Sequence, residues 1–300
     1  MTAAESAQRR ALAAGLLLVL VWGASFSIQK AAYAAMGPGA FLFCRSLLMA
    51  LCALALLRWR GSPLWPRLSR RDSGLLLGCT AIGPVLHVLL VTYGIHWSTP
   101  FSSALIMACG PVCTLILLRV LRGTPLRRNQ MLGVGVAFAG VLLFMSEKLM
   151  HAAWRASGGD LLMLVSALAF SLYTIAVTPL IERYGGPEVL CWTTLLAAPV
   201  LLVLNAPAAW VAPYAALSAA MWSAVLWSVL ISAFLGWMLW GWVNAVRGVS
   251  RTAPLMYGVP PVAGLVAWFT VGEGYGGLKL AGAALALGGV AWTQLRTDHP

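Results

Sequence analysis

Residues able to carry acid–base or metal chemistry are few in this chain. Its 300 residues include eight acidic side chains, and each lies in a tail or near the end of an apolar run. The six cysteines fall inside such runs and form no CxxC pair, and the chain has no GxxxxGK[ST] loop. These features predict no catalytic centre, metal site or cofactor, and they argue against ATP-driven pumping by this chain.

His87 is the one titratable residue near the middle of an apolar run, and Gly83 and Pro84 precede it. One interpretation makes His87 a substrate contact or proton carrier. The other makes it a neutral imidazole that is hydrogen-bonded between helices. The proline is expected to interrupt the helical hydrogen bonds at this point and to permit a bend.

The segments that position these residues are ten apolar runs. The chain is 61% hydrophobic and 9% charged, and a helix of about 20 apolar residues crosses the hydrocarbon of a bilayer. The pattern predicts an all-α integral membrane protein with no soluble domain. The predicted spans are residues 12–33, 39–57, 74–96, 101–118, 129–146, 160–181, 187–204, 220–244, 253–271 and 278–295.

The basic residues predict the orientation of these spans. Fifteen of the 20 Lys and Arg residues lie in the tails and in alternate gaps, as the positive-inside rule expects of cytoplasmic segments. We therefore expect a multi-pass protein of the bacterial inner (cytoplasmic) membrane with both termini in the cytoplasm. Because the net charge of +12 follows the topology, it does not indicate nucleic-acid binding.

The chain repeats at an offset of 149 residues. This offset aligns Gly37-Pro38 with Gly186-Pro187, Pro111 with Pro260, and Gly123 with Gly272. The predicted domains are two five-helix repeats, residues 1–149 and 150–300. Because five is odd, the second repeat enters the membrane inverted. Such repeats enclose a central cavity and exchange conformations in secondary transporters, which gives alternating access.

Aromatic and polar side chains recur at helical spacing on several spans, for example at Trp237, Trp240 and Asn244. Ordinary helix packing could explain each stripe singly, whereas together they predict an apolar substrate cavity with polar anchors. The rings could hold an ammonium group by cation–π contact. The predicted substrate-binding residues are Trp22, Phe26, Gln29, His87, Tyr93, Tyr173, Trp237, Trp240, Asn244 and Tyr257.

Lys30 and Arg45 lie within spans, towards the predicted external ends. Both could extend to the membrane surface, or could bind a substrate carboxylate. Pro111, Pro254, Pro260 and Pro261 take related places in the two halves, and we expect them to act as hinges. The glycines of the fifth and tenth spans are expected to be close-packing positions.

The order of motifs resembles the EamA family of the drug/metabolite transporter superfamily. The resemblance rests on Trp22-Gly23-Ala24-Ser25-Phe26 with Lys30, Pro38 and Arg45, and on the Pro and Gly residues that end each half. One departure is Gly123-Thr124, where the family often has Gly-Glu; Gly272-Glu273 keeps that pattern. Length, ten spans and aromatic richness are most like an aromatic amino-acid exporter of this family, which implies export of such substrates.

The resulting functional hypothesis is a secondary transporter, not an enzyme, that exports neutral and especially aromatic amino acids and related metabolites. Export of amphipathic drugs or other small metabolites is the alternative within the transporter class. An integral membrane enzyme is the alternative from another class. The expected partners are a small-molecule substrate and the bilayer, with the protein a monomer or a dimer.

Overall fold

Ten helices make up most of the chain in a computed structural model that describes residues 3–123, 125, 128–150, 154–248 and 252–294. Eight are long and apolar enough to cross a membrane, and two are shorter and apolar. The predicted all-α membrane fold is therefore confirmed. The helices are α1 (Ala3–Met36), α2 (Pro38–Trp59), α3 (Arg70–Trp97), α4 (Pro100–Ala108 and Gly110–Arg122), α5 (Arg128–Met150), α6 (Trp154–Tyr184), α7 (Gly186–Trp210), α8 (Ala219–Arg247), α9 (Val259–Val271) and α10 (Gly277–Gln294).

Most helices extend beyond the spans predicted from hydropathy. The sixth span was predicted at 160–181, whereas α6 runs from Trp154 to Tyr184. Hydropathy marks only the part of a helix that lies in hydrocarbon, while backbone hydrogen bonding continues into the interface. Many large apolar side chains of the bundle are exposed, including Leu16 and Trp268, as expected for surfaces that face lipid.

Local sequence sets the ends of several helices. The side chains of Ser69, Thr99 and Ser218 accept hydrogen bonds from backbone amides in the first turns of α3, α4 and α8, which satisfies donors that a helix start leaves unpaired. Gly123 and Gly272 adopt the left-handed conformation that ends α4 and α9, with φ of 66° and 63°. These two caps are 149 residues apart and match the sequence repeat.

The packing of the helices follows the repeat. α2 packs on its counterpart α7, and α5 packs on its counterpart α10. α1 packs on α8 and α9, and the equivalent α6 packs on α3 and α4. A two-fold exchange of the halves therefore maps the contacts of α1 onto those of α6 and maps the α2–α7 and α5–α10 contacts onto themselves, as expected for the inverted repeats of this fold.

Small residues bring α5 and α10 into backbone contact. A Cβ built on Gly140 would lie 2.8 Å from the Gly282 carbonyl oxygen, and one built on Gly133 would lie 2.9 Å from the Gly289 carbonyl oxygen. This is the close packing predicted for these four glycines. The same prediction was wrong for Gly135 and Gly288, where an added Cβ would meet no atom within 4 Å.

Two π-helical segments interrupt the α-helical hydrogen bonding at equivalent places in the repeats. One is Ala81–His87 in α3, and the other is Trp227–Leu235 in α8. The first contains Pro84, so the predicted interruption is present there as a π segment. A π turn widens the helix and leaves backbone groups for other partners. Such turns often occur at functional sites.

Candidate functional site

A continuous set of rings joins the two repeats at the centre of the bundle. Phe170 of α6 lies 4.9 Å from the ring of His87 on α3 and 5.4 Å from that of Trp237 on α8, between ring centroids. Trp22 of α1 lies 5.6 Å from both Trp237 and Trp240. These five residues are called the central aromatic cluster below. It brings together four of the predicted substrate-binding residues.

The π segments position this cluster. The Trp22 indole Nε1 donates a hydrogen bond of 2.9 Å to the Ser232 carbonyl, which lies in the π segment of α8. A Cβ on Gly236 would lie 2.9 Å from that same nitrogen, so the glycine makes room for the indole. On the other side, a Cβ on Gly83 would overlap the ring of Tyr173. Each π segment thus receives an aromatic side chain from the opposite repeat.

His87 links α3 to α6. Its Nδ1 lies 2.8 Å from the Ser166 hydroxyl and 3.1 Å from the Ser166 carbonyl. The Ser166 hydroxyl also lies 3.3 Å from the His87 carbonyl. His87 is therefore hydrogen-bonded between helices, as one of the two interpretations expected.

Four predicted residues border the cluster or lie apart from it. Tyr173 is 6.3 Å from Phe170, and Phe26 packs beside Trp22 against Val19. Gln29 accepts a hydrogen bond of 2.7 Å from the Tyr33 hydroxyl. Tyr93 packs against Trp97 near the end of α3, outside the cluster.

Asn244 and Tyr257 also lie outside the cluster. The Asn244 side-chain oxygen accepts a hydrogen bond from the Thr252 hydroxyl at the turn between α8 and α9. Tyr257 packs with Leu105 and Cys109 of α4. Its buried hydroxyl has no hydrogen-bond partner among the residues described. Sequence spacing placed Asn244 on the same face as Trp237 and Trp240 but could not show which neighbours that face meets.

Lys30 caps the C-terminal end of α3. Its ammonium group donates to the carbonyl oxygens of Ile95, His96 and Ser98, at 3.1, 2.5 and 2.6 Å. These carbonyls belong to the last turn of α3 and the residue after it, where a cation complements unpaired acceptors. Of the two expectations for Lys30, this geometry favours a structural role, although the cation caps α3 instead of extending to the surface.

Arg45 lines a recess between α2, α3 and α7 with a cavity volume of about 50 Å³. Its guanidinium has no ion-pair or hydrogen-bond partner within the described part of the chain. The recess includes no acidic side chain. The lining residues are Arg45, Ser46, Met49, Pro84, Val88, Thr194, Ala197, Ala198 and Leu201.

The predicted hinge prolines begin helical segments instead of kinking helix interiors. Pro111 lies in the first turn after α4 is interrupted at Cys109, and the Gly110 carbonyl accepts a 3.0 Å hydrogen bond from the Ser171 hydroxyl. Pro260 and Pro261 lie in the first turn of α9, and Pro254 is the second residue of the 3₁₀ segment Ala253–Gly258. Proline loses little at such positions, because their amides lack helical partners anyway. The hinge role of these four prolines stays a prediction.

An ion pair that sequence analysis did not find lies between α9 and α10. Lys279 Nζ is 2.7 Å from Glu273 Oε1, and both side chains are buried. The ring centroids of Phe101, Phe144 and Tyr275 lie 6.0, 5.8 and 5.1 Å from the ammonium. Glu273 also accepts a 3.3 Å hydrogen bond from the Phe101 amide at the start of α4.

A ten-helix, two-repeat membrane bundle with an aromatic centre defines a polytopic membrane transporter. The chain belongs to the EamA-like transporter family, whose sequence profile matches residues 9–146 and 157–295, one match in each half. The resemblance seen in the sequence is thereby confirmed at the level of the family.

Relatives match nearly the whole chain. The probable terminal-alkyne amino-acid exporter of Streptantibioticus cattleyicolor is 29% identical, over 96% of this chain and 94% of its own. The probable amino-acid metabolite efflux pump of Salmonella typhimurium is 25% identical, over 92% and 91%. A solved crystal structure with 16% identity superposes with a TM-score of 0.66, over 98% of this chain and all of the other, and shows the same fold.

Proposed function

We propose that this transporter exports neutral, especially aromatic, amino acids and related metabolites by alternating access and without ATP. The observation that carries the proposal is the central aromatic cluster, which combines residues of α1, α3, α6 and α8 from both repeats. A site between inverted repeats is where secondary transporters hold substrate. We infer that the site binds and releases its substrate without covalent chemistry.

The rings suit such a substrate for two reasons. Aromatic walls favour an apolar side chain through burial and ring contacts. Trp22, Trp237 and Trp240 also offer π faces that attract an ammonium group, so a zwitterion needs no acidic partner here. The names of the two relatives, an amino-acid exporter and an amino-acid metabolite efflux pump, support this substrate class.

Alternating access would use the symmetric contacts of the bundle. Trp22 closes onto α8 while Phe170 and Ser166 close onto α3. We propose that each pair separates in one of the two open states, with the π segments absorbing the change. The basic gaps support a proposed orientation with both termini in the cytoplasm of a bacterial inner membrane, and we propose that transport runs from that side outwards.

Counterflow of labelled phenylalanine in liposomes tests the site. Trp237→Ala should lower the initial rate at least ten-fold, because it removes the ring between Trp22 and Phe170. Trp292→Ala is the matched control, since Trp292 is half exposed on α10, and it should keep the wild-type rate. Equal rates for Trp237→Ala and wild type would contradict substrate binding at the cluster. Faster uptake of an apolar amphiphile than of any amino acid would favour drug export.

A further inference from the structure

An arginine within the membrane part of a helix needs an explanation. Arg45 lies seven residues after the first residue of α2, so its Cα is about 10 Å from that helix end. Moving a guanidinium into hydrocarbon costs about 2.5–3.5 kcal/mol on insertion scales. Such a residue is usually paired or points into a polar cavity. Arg45 has no partner within the described part of the chain, so pairing does not explain it.

The recess that Arg45 lines is bordered by two other helices. Its other walls are Pro84 and Val88 of α3 and Ala198 and Leu201 of α7. Pro84 and Val88 lie on either side of His87 in sequence. His87 is itself about 15 Å from the nearer end of α3, ten residues before Trp97. The recess that Arg45 lines therefore reaches the turn of α3 that carries His87.

This recess adjoins the central aromatic cluster through the π segment of α3. Pro84 lines the recess, while the neighbouring Gly83 packs on Tyr173 and His87 packs on Phe170. Arg45 and His87 are also close enough to interact electrostatically. A single ligand that reached past His87 could therefore touch the rings at one end and the guanidinium at the other.

We propose that Arg45 binds the carboxylate of the transported substrate. This inference rests on the proposed function and narrows it, because it assigns substrates that carry a carboxylate and disfavours uncharged or purely cationic amphiphiles. The planar guanidinium forms two parallel hydrogen bonds with a carboxylate. Lys30 is the weaker candidate for this role, because its three N–H groups are already directed at backbone carbonyls.

Ligand-induced thermal stabilisation of the detergent-solubilised protein tests carboxylate binding by Arg45, called the carboxylate anchor below, without requiring transport. The probes are phenylpropionate, which has only the carboxylate, and phenethylamine, which has only the ammonium group. Phenylpropionate should raise the melting temperature of the wild type and of Arg119→Gln, whose arginine is exposed and bonds only the Gly123 carbonyl in the described chain. It should leave the melting temperature of Arg45→Gln unchanged. It should raise that of Arg45→Lys only slightly, because a lysine ammonium is a point charge and lacks the two parallel N–H donors of the guanidinium.

The same experiment separates a binding role from a structural one. Removal of an unpaired charge from an apolar recess should keep or raise the melting temperature of Arg45→Gln without ligand. A fall would show that Arg45 supports the fold and would contradict the proposal. Stabilisation of Arg45→Gln by phenylpropionate, equal to that of wild type, would overturn it.

Failure of the proposed function would look different. The wild type would then carry no phenylalanine, tryptophan or methionine in counterflow. Stabilisation by phenylpropionate that depended on Arg45 would still support the anchor, for some other carboxylate substrate. In the transport assay, the anchor predicts that phenylalaninamide competes with labelled phenylalanine at least ten-fold less strongly than phenylalanine does. Equal competition by the amide would count against it.

Discussion

Trp22 of the first repeat donates its indole N–H to the Ser232 carbonyl of the second repeat, at 2.9 Å, within the π segment of α8. The bond uses a backbone acceptor inside a segment where α-helical pairing is interrupted. It also holds Trp22 against Trp237 and Trp240. Trp22 thus stabilises the contact between the repeats and also forms part of the wall of the central aromatic cluster.

Trp22→Phe should separate these two tasks. The phenyl ring keeps part of the aromatic wall, but the Ser232 carbonyl loses its donor, which costs about 1 kcal/mol in unfolding free energy. We expect a melting temperature a few degrees below that of wild type and a moderate loss of phenylalanine counterflow. Trp292→Phe provides the control for a lipid-facing indole. A Trp22→Phe protein with unchanged stability would show that the hydrogen bond is not formed in the membrane.

Ser166→Ala and His87→Ala distinguish the two interpretations of His87. Both substitutions remove the Ser166 hydroxyl contact with Nδ1, but only His87→Ala removes the ring that faces Phe170. If His87 contacts substrate, counterflow should fall at least ten-fold in His87→Ala and remain within about three-fold of wild type in Ser166→Ala. Similar losses in both would favour a purely structural histidine. Normal transport by His87→Ala at every pH tested would exclude a role in transport.

The sequence predicted the fold well because the features that define it are local or repeated. Apolar runs and their charged gaps gave ten spans, and Gly123 and Gly272 marked equivalent helix ends at the 149-residue offset. One hairpin departs from this offset by a residue, since the caps with positive φ before α2 and α7 are Gly37 and Gly185, not Gly186. The domain boundary at residues 149 and 150 stays a prediction.

The site was predicted only in part because it depends on contacts between distant residues. Helical spacing showed that Trp237 and Trp240 share a face, but not that Trp22 meets them. Nothing in the apolar periodicity distinguishes a π turn from an α turn, so neither π segment was foreseen as such. Hydropathy also could not predict the surroundings of Lys279, because only the folded structure brings Glu273 and three rings around it.

The buried pair of Glu273 and Lys279 should contribute strongly to stability once one partner is missing. Glu273→Gln leaves a buried ammonium without its counter-ion, a change that costs about 3–5 kcal/mol in comparable sites. We therefore expect a large fall in melting temperature. The double variant Glu273→Gln with Lys279→Met should recover much of the loss, because no charge then stays unpaired. A double variant less stable than Glu273→Gln would contradict this account of the pair.

Backbone contact between α5 and α10 predicts a sharp contrast between two glycines of α5. Gly140→Ala would place its Cβ against the backbone of Ala286 and 2.8 Å from the Gly282 carbonyl oxygen, so the helices must separate. We expect a clearly lower melting temperature and aggregation on size-exclusion chromatography. Gly135→Ala faces open space and should match or slightly exceed wild-type stability, since alanine favours the helix. Equal behaviour of the two variants would mean that α5 and α10 do not pack this closely.

Counterflow by the wild-type protein tests the central claim most directly. Purified protein is reconstituted in liposomes loaded with unlabelled amino acid, and the uptake of labelled tryptophan, phenylalanine and methionine is compared with that of protein-free liposomes. The account predicts saturable exchange that unlabelled aromatic amino acids inhibit. Flux no greater than in protein-free liposomes for all three amino acids would contradict amino-acid export, while the transporter fold would stand.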